Sequence, residues 1–184
     1  QTGVTIVLVE QNARAALAET AQRVRSMALV HEKLYQSQQL SVVDLADYLR
    51  DLVEQLKEAL GSRLRAVQVT VQASSVQADL NTAIPFGLVV TELVSNSLKH
   101  AFPGERAGTL QVALQREAEG AVLTVVDDGV GFAAGVDPRQ RQSLGLKLVD
   151  SLVRQLDGQF SIRNAQGVQF TLRLPRLMRR GDTA

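Results

Sequence analysis

Glu92-Leu93-Val94-Ser95-Asn96-Ser97-Leu98-Lys99-His100 lies at the centre of a stretch, Ile84 to Phe132, around which the rest of the chain is arranged. At about 100° per residue, a helix here brings Glu92, Asn96 and Lys99 within an arc of roughly 60°. One face then carries an acid, an amide and a cation. Phe86, Val89, Val90, Leu93, Val94, Ser97 and Leu98 supply the side that packs on a core. Such a trio suits a magnesium-bound polyphosphate. Magnesium prefers hard oxygen ligands and retains several waters, so the amide oxygen of Asn96 would complete a site built largely by phosphates. Lys99 would neutralise phosphate charge, and Glu92 would orient or deprotonate a nucleophile. The same spacing also describes an ordinary solvated helix face.

Working outward, Leu123-Thr124-Val125-Val126-Asp127-Asp128-Gly129-Val130-Gly131-Phe132 is an apolar strand that runs into acids and glycines. Asp127 at the strand end can accept a hydrogen bond from an exocyclic amine, while Gly129 and Gly131 let backbone approach a flat ring. Read alone, Asp-Asp-Gly is equally a hairpin turn. Further on, Ser143-Leu144-Gly145-Leu146-Lys147-Leu148-Val149 reads as a helix start, Ser143 its cap, with first-turn amides facing phosphate oxygens. An ordinary capped helix has the same pattern.

With 184 residues, 45% hydrophobic and 21% charged, the chain can bury one good core plus a helical appendage. A net charge of +1 gives no general pull towards nucleic acid, and Arg176, Arg179 and Arg180 form the one basic cluster, a tail. The absence of cysteine excludes disulfides and thiolate chemistry and fits a reducing compartment. The apolar run Val4 to Val9 is too short to cross a bilayer and lacks the basic start of a signal peptide, so no membrane partner is expected. The longer stretch Gly3 to Asn12 resembles a strand end in transporter ATPases of the branched-chain amino-acid type, but no Walker A loop accompanies it.

From Ala13 to Gln36, Leu17, Ala21, Val24, Ala28, His31 and Tyr35 recur in a coiled-coil-like seam. After a polar break, Ser41 and Asp44 suggest a capping box, and Leu45, Leu49, Leu52, Leu56 and Leu60 continue a stripe to Gly61. Val67, Val69 and Val71 alternate as a half-buried strand, and Pro85 suits a first helical turn. Leu110, Val112 and Leu114 form a strand that turns at Glu117 to Gly120 and leads by a hairpin to Asp127. Ala133 to Gln142 reads as a mobile lid, the next helix ends near Gly158, and Phe160 to Leu174 makes a closing hairpin.

The three parts E-L-V-S-N-S-L-K-H, D-D-G-V-G-F and S-L-G-L-K-L-V, in this order, resemble the N, G1 and G2 boxes of the histidine-kinase-type ATPase fold. Arg23 to Ser37, with Leu45-Ala46-Asp47-Tyr48-Leu49, looks like the second dimerisation helix and linker of HisKA_2-type sensor histidine kinases, with the HWE kinases as near neighbours. The resemblance covers Ala13 to Pro175. It implies an α+β fold, a two-layer α/β sandwich of the Bergerat type binding ATP and Mg2+, beside an N-terminal helical dimerisation segment. The expected organisation is residues 1–40 as a partial dimerisation and phosphotransfer segment, 41–176 as the ATP-binding catalytic domain, and 177–184 as a basic tail.

Carried over by position, Asn96 would ligand the magnesium and Glu92 would assist proton removal from an acceptor imidazole. Lys99 and His100 would face the phosphates, Asp127 would bind the adenine amine, and Gly129 and Gly131 would shape the adenine floor. Leu144, Gly145 and Leu146 would line the phosphate loop. The resemblance further implies a cytoplasmic two-component kinase with a response regulator as partner, and the two apolar stripes predict a homodimer through the helices Ala13 to Gln36 and Val43 to Leu60. Two departures stand out. No motif like His-Arg-Val-Lys-Asn-Asn precedes Ala13, so of His31 and His100 neither is the expected acceptor; the histidine that would receive the phosphoryl group is missing from this chain, as it would be from a fragment, an engineered kinase or a degenerate one. Gly167-Val168-Gln169-Phe170 stands where Gly-Thr-x-Phe is common, which removes a polar contact to adenine of about 1 kcal/mol. A serine kinase of the anti-sigma type and a nucleotide-regulated dimerisation module without kinase activity are the competing readings.

Overall fold

The computed structural model describes residues 42–60, 66–118, 120–133 and 144–175, with the isolated positions Leu17, Thr20, Ala21, Val24 and Ala28. In chain order the elements are β1 (Val43–Asp44), α1 (Leu45–Leu60), β2 (Val67–Ala73), β3 (Gln77–Ala78), α2 (Leu80–His100), a 3-10 turn (Pro103–Glu105), β4 (Gly108–Arg116), β5 (Ala121–Asp127), α3 (Leu144–Gln155), β6 (Gln159–Ala165) and β7 (Gly167–Leu174). None of the described helices is long and apolar enough to cross a membrane.

The alternation read in the strands sets the faces of the main sheet. Leu110, Val112 and Leu114 of β4 and Leu123 and Val125 of β5 are almost wholly buried, while Gln111 and Gln115 point to the other, wetter face. The antiparallel register puts Leu114 opposite Leu123 and Leu110 opposite Asp127. The strand order is β2-β4-β5-β7-β6, with β2 and β4 parallel and the other pairs antiparallel; β1 and β3 pair separately. Helices cover the apolar face and share one core with it, giving the expected two-layer α+β sandwich.

The long helix α2 carries the central motif, and its start differs from expectation. Asp79 caps it, accepting from Thr82 N at 2.9 Å, so Pro85 lies inside the helix and not in its first turn. Pro85 has no N–H for the carbonyl of Asn81, but Asn81 is exposed and water can serve that oxygen. At the start of α1 the cap is likewise Asp44, whose Oδ1 accepts from Ala46 N at 2.8 Å; Ser41 lies outside the described residues.

The leucine stripe of α1 is turned inward. Leu45, Leu49, Leu52 and Leu56 are at most 3% exposed and pack in the common core with α2, which corrects the expectation that this stripe faces a second chain. By contrast the described positions of the upstream seam, Leu17, Ala21, Val24 and Ala28, are helical and exposed, Leu17 at 70% and Val24 at 58%. His31 and Tyr35 lie outside the described residues, as do most of the Ala133 to Gln142 segment, Ser143 and the arginine tail.

Candidate functional site

The site is built on the end of β5. Pairing with β4 and β7 carries Asp127 into the interior, where it is 2% exposed and satisfied from three directions. Ser97 of α2 donates its hydroxyl to Oδ2 at 2.7 Å, and Gly129 N and Val168 N both donate to Oδ1 at 3.1 Å. With Oδ1 doubly engaged, Oδ2 is the oxygen left to accept from a further donor, and every donor already aimed at the group suits a carboxylate that only accepts. Gly167 makes this approach possible. Its φ is 98°, and a Cβ there would come within 2.7 Å of the Asp127 carbonyl carbon and 2.8 Å of Gly129 N.

Beside Asp127 lies a cleft of about 520 Å³. From α2 it receives Glu92, Asn96, Ser97 and His100; from the loop after β5, Gly131 and Phe132; from β7, Val168 and Phe170. Glu92 is 7% exposed, Asn96 is half-buried and His100 is exposed, so the polar face grades from buried acid to open imidazole along one side of the helix. Leu144, Gly145 and Leu146 bring to the lining the N-terminus of α3, the helix end that favours anions. Apolar walls with a few convergent polar groups are the usual make-up of a small-molecule site. Among the described residues no group of three or more His, Asp or Glu side chains could hold a metal by itself.

The structure therefore brings together Glu92, Asn96, His100, Asp127, Gly131, Leu144, Gly145 and Leu146. Lys99 is exposed and outside the lining. Gly129 also stands off the cleft: a Cβ there would lie 2.5 Å from the Ala101 carbonyl oxygen, so its smallness serves packing against the end of α2, and its N–H serves Asp127. Ser97 was assigned to the core side and is buried there, yet its hydroxyl reaches Asp127 across thirty residues of sequence. Phe132 and Phe170 close the two glycine-bearing motifs and form the apolar wall; Ala101, which completes it, carried no sequence signal beyond its hydrophobicity.

A mixed sheet layered with helices, and a cleft lying between a long helix and an acid at a strand end, make a two-layer α/β sandwich with a small-molecule cleft. A family model described as "Histidine kinase-, DNA gyrase B-, and HSP90-like ATPase" matches residues 81–178, and one described as "Histidine kinase" matches residues 7–60. The chain belongs to this ATPase family and, within it, to the protein histidine kinases. It is 33% identical over 168 residues to the sensor histidine kinase PdtaS of Mycobacterium tuberculosis, a match covering 88% of this chain and 33% of PdtaS. It is 29% identical over 136 residues to blue-light-activated histidine kinase 2 of Erythrobacter litoralis, covering 73% of this chain and 39% of that one. The chain thus spans about a third of the length of these curated relatives. The solved histidine kinase domain of an Erythrobacter litoralis blue-light-activated kinase shares the fold, with a TM-score of 0.78 at 23% identity over 94% of this chain and 83% of that one.

Proposed function

We propose that the chain is the ATP-binding catalytic core of a cytoplasmic two-component sensor kinase, and that the cleft takes ATP with its base against Asp127. The observation that carries this reading is the buried Asp127 carboxylate, fixed by three donors in a cleft that Asn96, His100 and a helix N-terminus also line. Oδ2 accepts the exocyclic amine, the apolar wall of Phe132, Val168 and Phe170 flanks the ring, and the amides at the start of α3 meet phosphate oxygens.

The donor set fits a magnesium ion held mainly by phosphates, since Asn96 offers one amide oxygen. When bound, the ion neutralises charge on the transferred phosphoryl group. Glu92, one turn from Asn96 and buried in the cleft, takes the proton from the attacking imidazole. His100 faces the phosphates from the cleft rim, with Lys99 beside it at the exposed end of the helix. The acceptor in such a kinase is a histidine on a docked helix, and a response regulator receives the phosphoryl group from it. Residues 41–176 act as the catalytic domain and 1–40 as part of the dimerisation and phosphotransfer segment.

Calorimetric titration with ATP and magnesium tests the reading. Wild type is expected to bind, and Asp127→Ala to lose binding while keeping the native circular dichroism spectrum; unchanged affinity in that variant would remove the base assignment.

A further inference from the structure

Beyond Asp127 the chain leaves the sheet, and Gly129 to Phe132 crosses the edge of the cleft without a strand ladder of its own. Its upstream part is tied to α2 by the Val130 N–H, which donates to the Ala101 carbonyl at 3.0 Å. The downstream part is tied by a side chain. Asn164, on β6 opposite Val168, accepts from Phe132 N through Oδ1 at 2.9 Å and donates from Nδ2 to the Phe132 carbonyl at 3.0 Å. The primary amide thereby takes the place of a strand residue, matching one N–H and one C=O, and the pair of bonds defines which amide atom is which.

Gly131 fits the same device. Its φ is 66°, and a Cβ would lie 2.5 Å from Asn164 Oδ1, so the amide fills the space that a side chain would need. Asn164 is exposed, so burial does not account for its placement; the two hydrogen bonds do. Phe132 and Gly131, the residues it holds, both line the cleft.

We infer that Asn164 is a positioning residue for the nucleotide site: it hangs Gly131 and Phe132 on the β6–β7 hairpin, and nucleotide affinity depends on that pair of hydrogen bonds. This rests on the proposed nucleotide reading of the cleft. The consequence differs from loosening the fold. Asn164→Ala removes both bonds at an exposed position, whereas Asn164→Asp keeps an acceptor for Phe132 N and sets a second acceptor against the Phe132 carbonyl.

The test is titration of the full chain with magnesium-ATP and magnesium-ADP, alongside hydrogen exchange. Asn164→Ala is expected to weaken both nucleotides by roughly fivefold to tenfold, and Asn164→Asp by at least as much. Arg173→Ala, which breaks the 2.8 Å ion pair to Glu117 at the far end of the same hairpin, is expected to bind as wild type does. The Phe132 amide should exchange faster in Asn164→Ala while Leu123 and Val125 in β5 keep their protection. Wild-type affinity in Asn164→Ala or Asn164→Asp overturns the inference alone, and so does a loss accompanied by faster exchange throughout β5. A wild-type chain that binds neither nucleotide overturns the reading of the cleft and this inference with it.

Discussion

Asp127 and Asp128 are neighbours with opposite tasks, because strand alternation sends one inward and the other to the surface. Asp128 accepts from Thr109 N at 2.7 Å and from Thr109 Oγ1 at 3.0 Å, while Arg106 donates to the Asp128 carbonyl at 2.7 Å. These bonds pin the start of the loop that follows β5 to the neighbouring strand. The Thr109 N–H, chiefly, holds the Asp128 carboxyl below the ordinary value of 3.8. A depressed folded pKa stabilises the protein above the unfolded value, and that contribution is lost as pH falls through the folded pKa. Exposure to solvent keeps it small. Between about pH 5 and about pH 3, wild type should therefore lose stability more steeply than Asp128→Asn. Denaturant midpoints across that range check it, and parallel slopes would contradict it.

At the scale of elements, α2 is held by a close fit with α1. Tyr48 is fully buried, and burial pushes its phenol well above the ordinary value, so it stays neutral against the helix. A Cβ on Gly87 would come 2.6 Å from Tyr48 Cζ and 2.8 Å from Cε1, so only glycine lets the ring lie there. The buried Thr91 hydroxyl donates to the Gly87 carbonyl at 2.8 Å. Gly87→Ala gains about 1 kcal/mol in helix propensity and forces the ring to move, so a net loss of about 1–2 kcal/mol is expected in urea unfolding. Tyr48→Phe should relieve part of that loss in the double variant. Equal or greater stability in Gly87→Ala would refute the fit. The helical periodicity of α2 and the alternation of β2, β4 and β7 were legible because burial repeats at 3.6 and 2 residues. Where α2 begins was not, because Asp79 caps it through a side-chain contact and Pro85 is tolerated inside. The α1 stripe was legible as apolar, but its partner was not. The Ser97 to Asp127 and Asn164 to Phe132 bonds join residues about thirty apart, and local pattern carries no information on them.

For the whole molecule, the sheet order places the end of β5 and the start of β7 beside the C-terminal half of α2 and the start of α3, so boxes far apart in sequence converge on one cleft. The motifs marked that convergence in advance; the contribution of Ala101 and the positions of Gly129 and Lys99 off the cleft emerged only from packing. Because the leucines of α1 lie in the core, the proposed homodimer rests on the upstream seam, whose described positions Leu17 and Val24 are helical and exposed. Light scattering should give a dimer for the chain and a monomer for Leu17→Glu with Val24→Glu, and a strict monomer in both would exclude that interface. The central claim is that Asp127 reads an exocyclic amine. Its most direct test compares ATP with inosine triphosphate, which carries a carbonyl in place of that amine, on wild type and Asp127→Asn. The Asn variant keeps an acceptor for Gly129 and Val168 and presents a new donor at the base. Wild type should prefer ATP by about tenfold or more, and Asp127→Asn should lose that preference. Equal affinity of wild type for the two nucleotides, or an unchanged preference in Asp127→Asn, would contradict it.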